Sequence, residues 1–518
     1  MLTLADPIEH ARRVHADRLA VIDGDRRFTY TELHERARRL AAGLHGRGVK
    51  PGERVAFLSA NSHQYLEAFC GIPAHGMVLV PLNTRLALPE LEAILTDCDA
   101  RVLMTDRDPG PLARCVERVI SIPDEYEKLL AGASSNPARQ TEENAIAALF
   151  YTGGTTGAPK GVMLTHRNLV ANAFHKIVAC SLSGEDVFLA APAMFHVAGI
   201  APLLGLIWLG ATTVTQPTFD AQGCLELIAL HRITLMMPVP TMLGAMIDAQ
   251  KRAPRVVASL RLIGHAGSPI AKDTIKAAHV TFPSVELAQF YGATETSSIV
   301  TCFRNEEAAI GTSMLGSCGR AVPGVAVRVA RQDGSECGAN EVGEILVRGP
   351  NVTAGYWHNP VATSAALERG WYHTGDLGLM QSDGYLFVVD RLKDMIVSGA
   401  ENVYSIEVED VLHRHPAVLE VAVIGIPDAV WGEAVHAVVV VDAKYPESGE
   451  ALVAELKDHC RKAIAGYKVP KRIDLQLEPL PKSGPGKILK RALREPFWRE
   501  PSARAGGNRS PSDGGRRV

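Results

Sequence analysis

The chain has no marked excess of charge of either sign: 54 Lys and Arg stand against 57 Asp and Glu, a formal net charge of −3. That balance excludes a general nucleic-acid binder, which needs a basic face. Cysteine is sparse and unpatterned. Nine residues, an odd number, are scattered from Cys70 to Cys460 with no C-x-x-C pair, which argues against a zinc site and for reduced thiols in a cytoplasmic protein. An N-terminal apolar signal segment is lacking too, since charges enter at Asp6, Arg12 and Arg13. Long uncharged runs are absent with one exception, the 18 residues Val197 to Val214, which reach the lower limit for a membrane span. Gly199, Pro202, Gly205 and Gly210 interrupt that run, and Thr212 to Val214 reads as a strand. A buried helix followed by a buried strand is the expectation, with no transmembrane segment and peripheral membrane contact left open. No repeat of 20–50 residues is visible.

At 518 residues, 47% apolar and 21% charged, the chain has the size for two or three globular domains. Short apolar runs at Val55–Leu58, Val78–Pro81 and Val102–Thr105 alternate with helical spacing at Asn61–Ala74 and Pro89–Asp97. This β–α–β–α order predicts an α/β fold of parallel strands with helices packed on them. Thr31 is the expected N-cap of a helix carrying Leu33, Ala37, Leu40 and Leu44. After about residue 320 the pattern becomes β-rich (Val325–Val329, Glu344–Val347), which predicts a small β-containing subdomain. Beyond the charged segment D-R-L-K-D near 390 lies a compact α+β stretch of helix, two strands, helix and strand between Ile406 and Leu477. The expected boundaries are 1–390 for the large domain, 391–393 for a hinge, 394–499 for a small mobile domain and 500–518 for a disordered tail rich in Gly, Ser, Pro and Arg.

Tyr151 to Gly161 reads Y-T-G-G-T-T-G-A-P-K-G. Gly153, Gly154 and Gly157 permit turns closed to other residues, and successive backbone N–H groups there can cradle an anion. Thr152, Thr155 and Thr156 add hydroxyls, and Lys160 adds a mobile positive charge. A polyphosphate is the matching ligand, against the plainer reading of a surface loop. The apolar run Ala145–Phe150 before it predicts a strand, and Met163–Ala173 after it a helix. It is not the G-x-x-x-x-G-K-[ST] phosphate loop, because Lys160 sits between Pro159 and Gly161.

Four further stretches carry chemistry. Y-G-A-T-E-T (Tyr291–Thr296) offers an aromatic ring for a base and Glu295 for a nucleotide-borne Mg²⁺, or else is a hairpin turn. Y-H-T-G-D-L-G (Tyr372–Gly378) places Asp376 where a carboxylate can accept two bonds from a ribose diol, or else forms an Asx turn. D-R-L-K-D-M-I-V-S-G-A-E-N (Asp390–Asn402) puts Arg391 and Lys393 at the domain joint, where a solvated linker is the alternative. P-K-S-G-P-G-K-I-L-K-R (Pro481–Arg491) presents Lys487 on a loop able to swing, or is a basic tail.

In this order and at these separations, the five stretches resemble the adenylate-forming superfamily of acyl-CoA synthetases, peptide-synthetase adenylation domains and firefly luciferase, over roughly residues 20 to 495. The resemblance implies a large N-terminal domain of stacked β-sheets with packed helices and a small C-terminal domain that rotates between two half-reactions. It implies ATP, Mg²⁺ and coenzyme A as cofactors and co-substrates. By residue, Thr152 to Lys160 would hold the β- and γ-phosphates, Thr294 the α-phosphate, and Glu295 with Thr156 the metal. Tyr291 would pack on adenine, Asp376 would bind the ribose hydroxyls, and Arg391 would reach the ribose or phosphate. Lys393 matches the hinge, and Lys487 the lysine bridging carboxylate and α-phosphate. Gly399, Ala400, Glu401 and Asn402 would line the pantetheine tunnel. Gly153 stands where the family often has Ser, and Ala400 where many CoA ligases have Gly.

Amino-acid-activating relatives usually carry an Asp near the segment A-M-F-H-V-A-G-I (Ala193–Ile200); here His196 occupies that neighbourhood, which argues against an amino-acid substrate. Val197, Gly199, Ile200, Met236, Met237, Val239, Gly267 and Gly292 are the expected acyl-pocket surroundings, with core packing as the alternative for the two methionines. The expected activity is an acyl-CoA ligase for a fatty, aryl or alicyclic acid. The alternatives are a stand-alone adenylation enzyme loading a separate carrier protein, since only 31 residues follow Lys487, and an inactive nucleotide-binding regulator. A homodimer stays open.

Overall fold

A computed structural model describes residues 2–133, 141–152, 159–268, 270–398, 401–428, 430–445, 448–482 and 488–498. The chain forms two compact units, one built on Met1–Lys393 and one on Asp394–Pro481 with the residues from Ile488.

Three sheets organise the first unit. The six-stranded sheet runs Arg118–Ser121, Ala100–Thr105, Arg54–Leu58, Val78–Pro81, Ile146–Thr152, Lys160–Thr165, with every neighbour parallel except the last pair. The nine-stranded sheet has a parallel centre from Glu286–Tyr291 through Leu262–His265, Leu235–Met236, Val187–Ala190 and Thr212–Thr215 to Leu19–Asp23. Its flanking strands, Arg26–Thr29 at one edge and Thr301–Phe303 with Arg320–Ala321 at the other, are antiparallel. The third sheet is antiparallel and contains Ala326–Ala330, Gly343–Arg348, Leu367–Glu368, Trp371–Met380 and Leu386–Arg391. One continuous core includes Phe57 and Leu79 of the first sheet, Phe188 and Phe290 of the second, and Val347 and Tyr372 of the third.

The alternating runs of the sequence thus become the predicted α/β architecture, with two local corrections. The helix expected to start at Thr31 spans Tyr30–Gly46 and is capped by Thr29, whose side chain accepts from the Glu32 N–H while the Glu32 carboxylate accepts from the Thr29 N–H. That reciprocal pairing satisfies two orphan donors and outcompetes a cap two residues later. Residues Met163–Thr165, read as the start of a helix, belong to a strand, Lys160–Thr165, paired antiparallel with Ile146–Thr152, and the helix begins only at His166, capped by Thr165. Val162 and Leu164 are buried on this strand, so an apolar run that also fits helical spacing is taken by the sheet. The phosphate-type loop therefore connects two antiparallel strands rather than a strand and a helix.

The uncharged run is a helix, Val197–Leu209, followed by the strand Thr212–Thr215. It is buried on nearly every side, from Val197 to Ile207, which explains its lack of a polar face. Among the described residues no helix is long and apolar enough to cross a membrane.

The second unit is α+β. Glu401–Val403, Ile396–Ser398, Gly432–Val441 and Val418–Asp428 form an antiparallel sheet to which Arg472–Gln476 adds in parallel. Helices Ser405–His413 and Gly449–Arg461 bury Val408, Leu412, Leu452 and Leu456 in its core.

Candidate active site

Tyr291 ends a parallel strand of the nine-stranded sheet, at the carboxyl edge where α/β sheets bind ligands. Its hydroxyl donates to Asp376 Oδ2 at 2.8 Å. The other carboxylate oxygen, Oδ1, lies 3.0 Å from Arg391 Nε. Asp376 and Arg391 face each other across the antiparallel strands Trp371–Met380 and Leu386–Arg391, so their proximity is a consequence of sheet register. Asp376 is buried and sits in a strand rather than an Asx turn, and its N–H donates to Thr374 Oγ1 at 3.0 Å. Burial, and then the Asp376 charge, push the Tyr291 hydroxyl well above the usual phenol range, so it remains a donor.

Thr294 and Glu295 lie in a short 3₁₀ turn directly after this strand. Glu295 Oε1 accepts from the Tyr356 hydroxyl at 3.0 Å, and the Glu295 carbonyl accepts from the Thr353 N–H at 2.8 Å. Tyr356 is the neighbour of Glu295 that sequence reasoning missed. It belongs to a strap, residues 353–357, that is laced to the strand Lys160–Thr165. The Met163 N–H donates to the Gly355 carbonyl at 2.9 Å, the Ala354 N–H to the Met163 carbonyl at 3.1 Å, and the Trp357 N–H to the Gly161 carbonyl at 2.8 Å. Lys160 Nζ lies 5.3 Å from the Tyr356 ring centroid, within cation–π range. One tyrosine therefore touches both the lysine of the Gly/Thr loop and the carboxylate of the Y-G-A-T-E-T stretch. A signal was present in the sequence, the pair Gly355–Tyr356. Gly355 has φ +128°, and a Cβ there would meet Thr363 Cγ2 at 2.5 Å.

Burial, and then the Glu295 charge, push the Tyr372 hydroxyl well above the usual phenol range. Thr152 faces Lys160 at the last described register position before the loop. Gly153, Gly154, Thr155, Thr156 and Gly157 lie outside the described residues, as do Gly399, Ala400 and Lys487. Among the described residues no three His, Cys, Asp or Glu side chains converge on one point. A single carboxylate steadied by a phenol fits a Mg²⁺ that arrives on nucleotide phosphates, since Mg²⁺ is held by one or two carboxylates plus phosphate oxygens.

The expected acyl-pocket residues divide by cause. His196 is the residue before the helix Val197–Leu209; it is half-buried, and its Nε2 has no hydrogen-bond partner among the described residues. Burial, and then Arg85, hold its pKa down to about 4, so the ring is neutral at ordinary pH. Val197 is buried in the same first turn. Gly199 and Gly292 answer to packing. A Cβ would come 2.3 Å from the Ala193 carbonyl oxygen at the first and 2.1 Å from the Ser298 carbonyl oxygen at the second. Gly267 has φ +92°, with only Val239 Cγ1 near an added Cβ, at 3.7 Å. Both methionines are core residues: Met236 is fully buried with Leu189 and Ile263, and Met237 is buried in the cluster that holds Phe290, where it also meets the amine of Lys176.

Arg391 closes its strand and Lys393 is the last residue of the first unit's main segment. In the second unit, the exposed Glu401 pairs with Ser398 across two antiparallel strands.

The AMP-binding enzyme family matches residues 8–357, and the AMP-binding enzyme C-terminal domain matches residues 407–487. A feruloyl-CoA synthase of Amycolatopsis sp is 38% identical over 495 residues, covering 95% of this chain and 98% of that protein. A fatty acid–[acyl-carrier-protein] ligase of Streptomyces coeruleorubidus is 35% identical over 500 residues, covering 92% and 93%. The solved o-succinylbenzoate CoA synthetase of Bacillus subtilis, in complex with an acyl-adenylate intermediate, superposes with a TM-score of 0.86 at 30% identity over 98% of this chain and 99% of that one. The chain therefore belongs to the AMP-binding enzyme family, the adenylate-forming group that its five ordered motifs resemble.

Proposed function

We propose that this chain is an ATP-dependent, AMP-forming acyl-CoA ligase for a hydrophobic carboxylic acid. The observation that carries this reading is the pair of groups Tyr291–Asp376–Arg391 and Glu295–Tyr356–Lys160. The first group has the donors and acceptors for a ribose diol beside an aromatic ring. The second sets a cation and a carboxylate on one tyrosine, the chemistry that a polyphosphate and its metal call for.

In the first half-reaction a carboxylate oxygen of the acid attacks the α-phosphorus of ATP. The bond to the β-phosphate oxygen breaks, and pyrophosphate leaves. Two anions must meet, so the chemistry needs offsetting positive charge and fixed donors rather than a general base. Lys160, with Thr152 and the Gly/Thr loop, holds the departing phosphates. Glu295 would hold Mg²⁺, which when bound would supply charge neutralisation on the phosphates. Lys487 bridges the carboxylate and the α-phosphate. In the second half-reaction the thiol of CoA attacks the acyl carbonyl, loses its proton, and AMP leaves. Rotation of the small domain about Lys393 would exchange Lys487 for the Gly399–Asn402 segment between the two steps. Nine cysteines without a disulfide support a cytoplasmic setting.

The relatives' names span aryl and fatty acids and both CoA and a carrier protein as acceptor. Loading of a separate carrier protein is therefore the second reading. Hydroxylamine-trapped adenylation across a panel of fatty, aryl and alicyclic acids, repeated with CoA and with a carrier protein, tests both. Acid-dependent pyrophosphate release with CoA-dependent AMP release supports the ligase. Adenylation with turnover only on the carrier protein selects the second reading, and no pyrophosphate with any acid overturns both.

A further inference from the structure

Lys176 lies within the helix His166–Cys180 and is 2% exposed. A lysine so deeply buried ordinarily has a carboxylate partner, because an unpaired charge away from water is costly. Among the described residues Lys176 has none. Its Nζ is 3.8 Å from Met237 Sδ and 4.1 Å from the centroid of the Phe290 ring. One turn earlier on the same helix, Asn172 is also buried, and its Oδ1 finds no partner among the described residues. Two buried polar groups with unused hydrogen-bonding capacity thus stand together against apolar walls.

One of these walls, Met237, belongs to the residues expected from the sequence around the acyl group. Phe290 precedes Tyr291 on the same strand and by alternation points to the opposite face, against Gly264, where even a Cβ would come 2.3 Å from Phe290 Cε2. Tyr291 thus serves the nucleotide side of this strand, and Phe290 with Lys176 serves the other.

We propose that Lys176 is a specificity-determining residue, whose amine donates a hydrogen bond to an oxygen at the far end of the carboxylic acid. The substrate class is then a hydrophobic acid with a distal oxygen function, not a plain hydrocarbon acid. This rests on the acyl-ligase reading above. Burial also pulls the Lys176 pKa down, with the Cys180 and Cys302 thiols opposing. The amine donates whether or not it carries a proton in excess. The distal oxygen can be neutral, as in a phenol or alcohol, or belong to a second carboxylate, and the test separates the two.

The experiment measures kcat/KM for acid-dependent pyrophosphate release on two scaffolds. One is 3-phenylpropenoic acid with its 4-hydroxy and 4-carboxy derivatives, and the other is octanoic acid with its 8-hydroxy and 8-carboxy derivatives. A site built to hydrogen-bond a substrate oxygen can reject the analogue lacking it by as much as about 10⁴, so the wild type is expected to prefer an oxygen-bearing acid by at least about tenfold on one scaffold. Lys176→Met, an apolar replacement of similar length, is expected to erase that preference. It should also melt at or above the wild-type temperature, because replacing a buried charge by a well-packed apolar group is often neutral or stabilising. Preference for the hydroxy acid assigns a neutral acceptor, and preference for the dicarboxylic acid an anionic one. Wild-type preference below twofold on both scaffolds overturns the proposal without any variant, as does a preference that survives Lys176→Met. If no acid of any kind is activated, the ligase reading itself falls, an outcome distinct from activation without preference.

Discussion

Tyr356→Phe separates the two contacts that Tyr356 makes. The hydroxyl donates to Glu295 Oε1 at 3.0 Å, while the ring faces Lys160 Nζ at 5.3 Å. Phenylalanine keeps the ring and removes only the donor. A hydrogen bond to a charged group contributes about 1.5–3 kcal/mol. Tyr356 is half-buried, so water can partly replace the lost donor, and the lower end, about 1.5 kcal/mol, applies. At 1.36 kcal/mol per tenfold, that is about a tenfold loss in the rate of acyl-adenylate formation. Burial and the Glu295 charge push the Tyr356 hydroxyl above its ordinary pKa, so no limb of the pH–rate profile should belong to it. The assay is the initial rate of pyrophosphate release with saturating acid while Mg²⁺ is titrated. A lower kcat is expected together with a higher Mg²⁺ half-saturation, and Tyr356→Leu should lose more because it also releases Lys160. If Tyr356→Phe stays within twofold of wild type at every Mg²⁺ concentration, the role of Tyr356 in steadying Glu295 is wrong.

Lys487→Ala should lower adenylation by about 10²–10³ while sparing thioester formation from supplied acyl-adenylate; equal loss in both half-reactions would remove Lys487 from the first step. Asp376→Asn removes the charge that faces Arg391 and one of the two acceptor oxygens that Tyr291 and Arg391 share, and the KM for ATP should rise about tenfold, or about 1.4 kcal/mol, with the KM for acid unchanged. A shift confined to the acid would contradict the ribose assignment. His175 is buried, and that burial lowers its pKa from 6.5 to about 4. Between those values the unfolded chain binds a proton that the folded chain refuses, so stability is full above 6.5 and falls as pH drops toward 4. The loss from pH 7 to pH 5 is about 2 kcal/mol. Urea unfolding of His175→Gln should lack this increment, and identical losses in the two proteins would refute it. Gly292→Ala forces a Cβ to 2.1 Å from the Ser298 carbonyl oxygen, so both melting temperature and adenylation should fall, with a cost of about 1–3 kcal/mol. An unchanged melting temperature would show that this turn can yield.

Much of the architecture could be read in the residues because it depends on local periodicity. The strand Val78–Pro81 falls where its apolar run lies, and the helix predicted over Pro89–Asp97 spans Leu88–Asp97. The buried helix and strand at Val197–Thr215 also follow, since no charged residue gives that run a polar face. Reading failed where two local patterns compete. Met163–Thr165 suits a helix as well as a strand, and pairing with Ile146–Thr152 decides. Thr29 and Thr31 both suit an N-cap, and the reach of Glu32 decides.

The ordered motifs by themselves determined the family, because glycines, threonines and carboxylates at those separations have a common use in handling a nucleotide. They could not determine which side chains meet. Asp376 and Arg391 are brought together by strand register, and Tyr291 reaches Asp376 from a different sheet. Tyr356 spans Lys160 and Glu295 only because a strap far along the chain is hydrogen-bonded to the strand beside the loop. Lys176 in the sequence is one more polar residue on a helix. Only the packing of Met237 and Phe290 around it shows a buried amine set against apolar side chains, with no carboxylate partner among the described residues. Contacts between residues distant in sequence depend on how the sheets and helices stack, which local pattern does not encode.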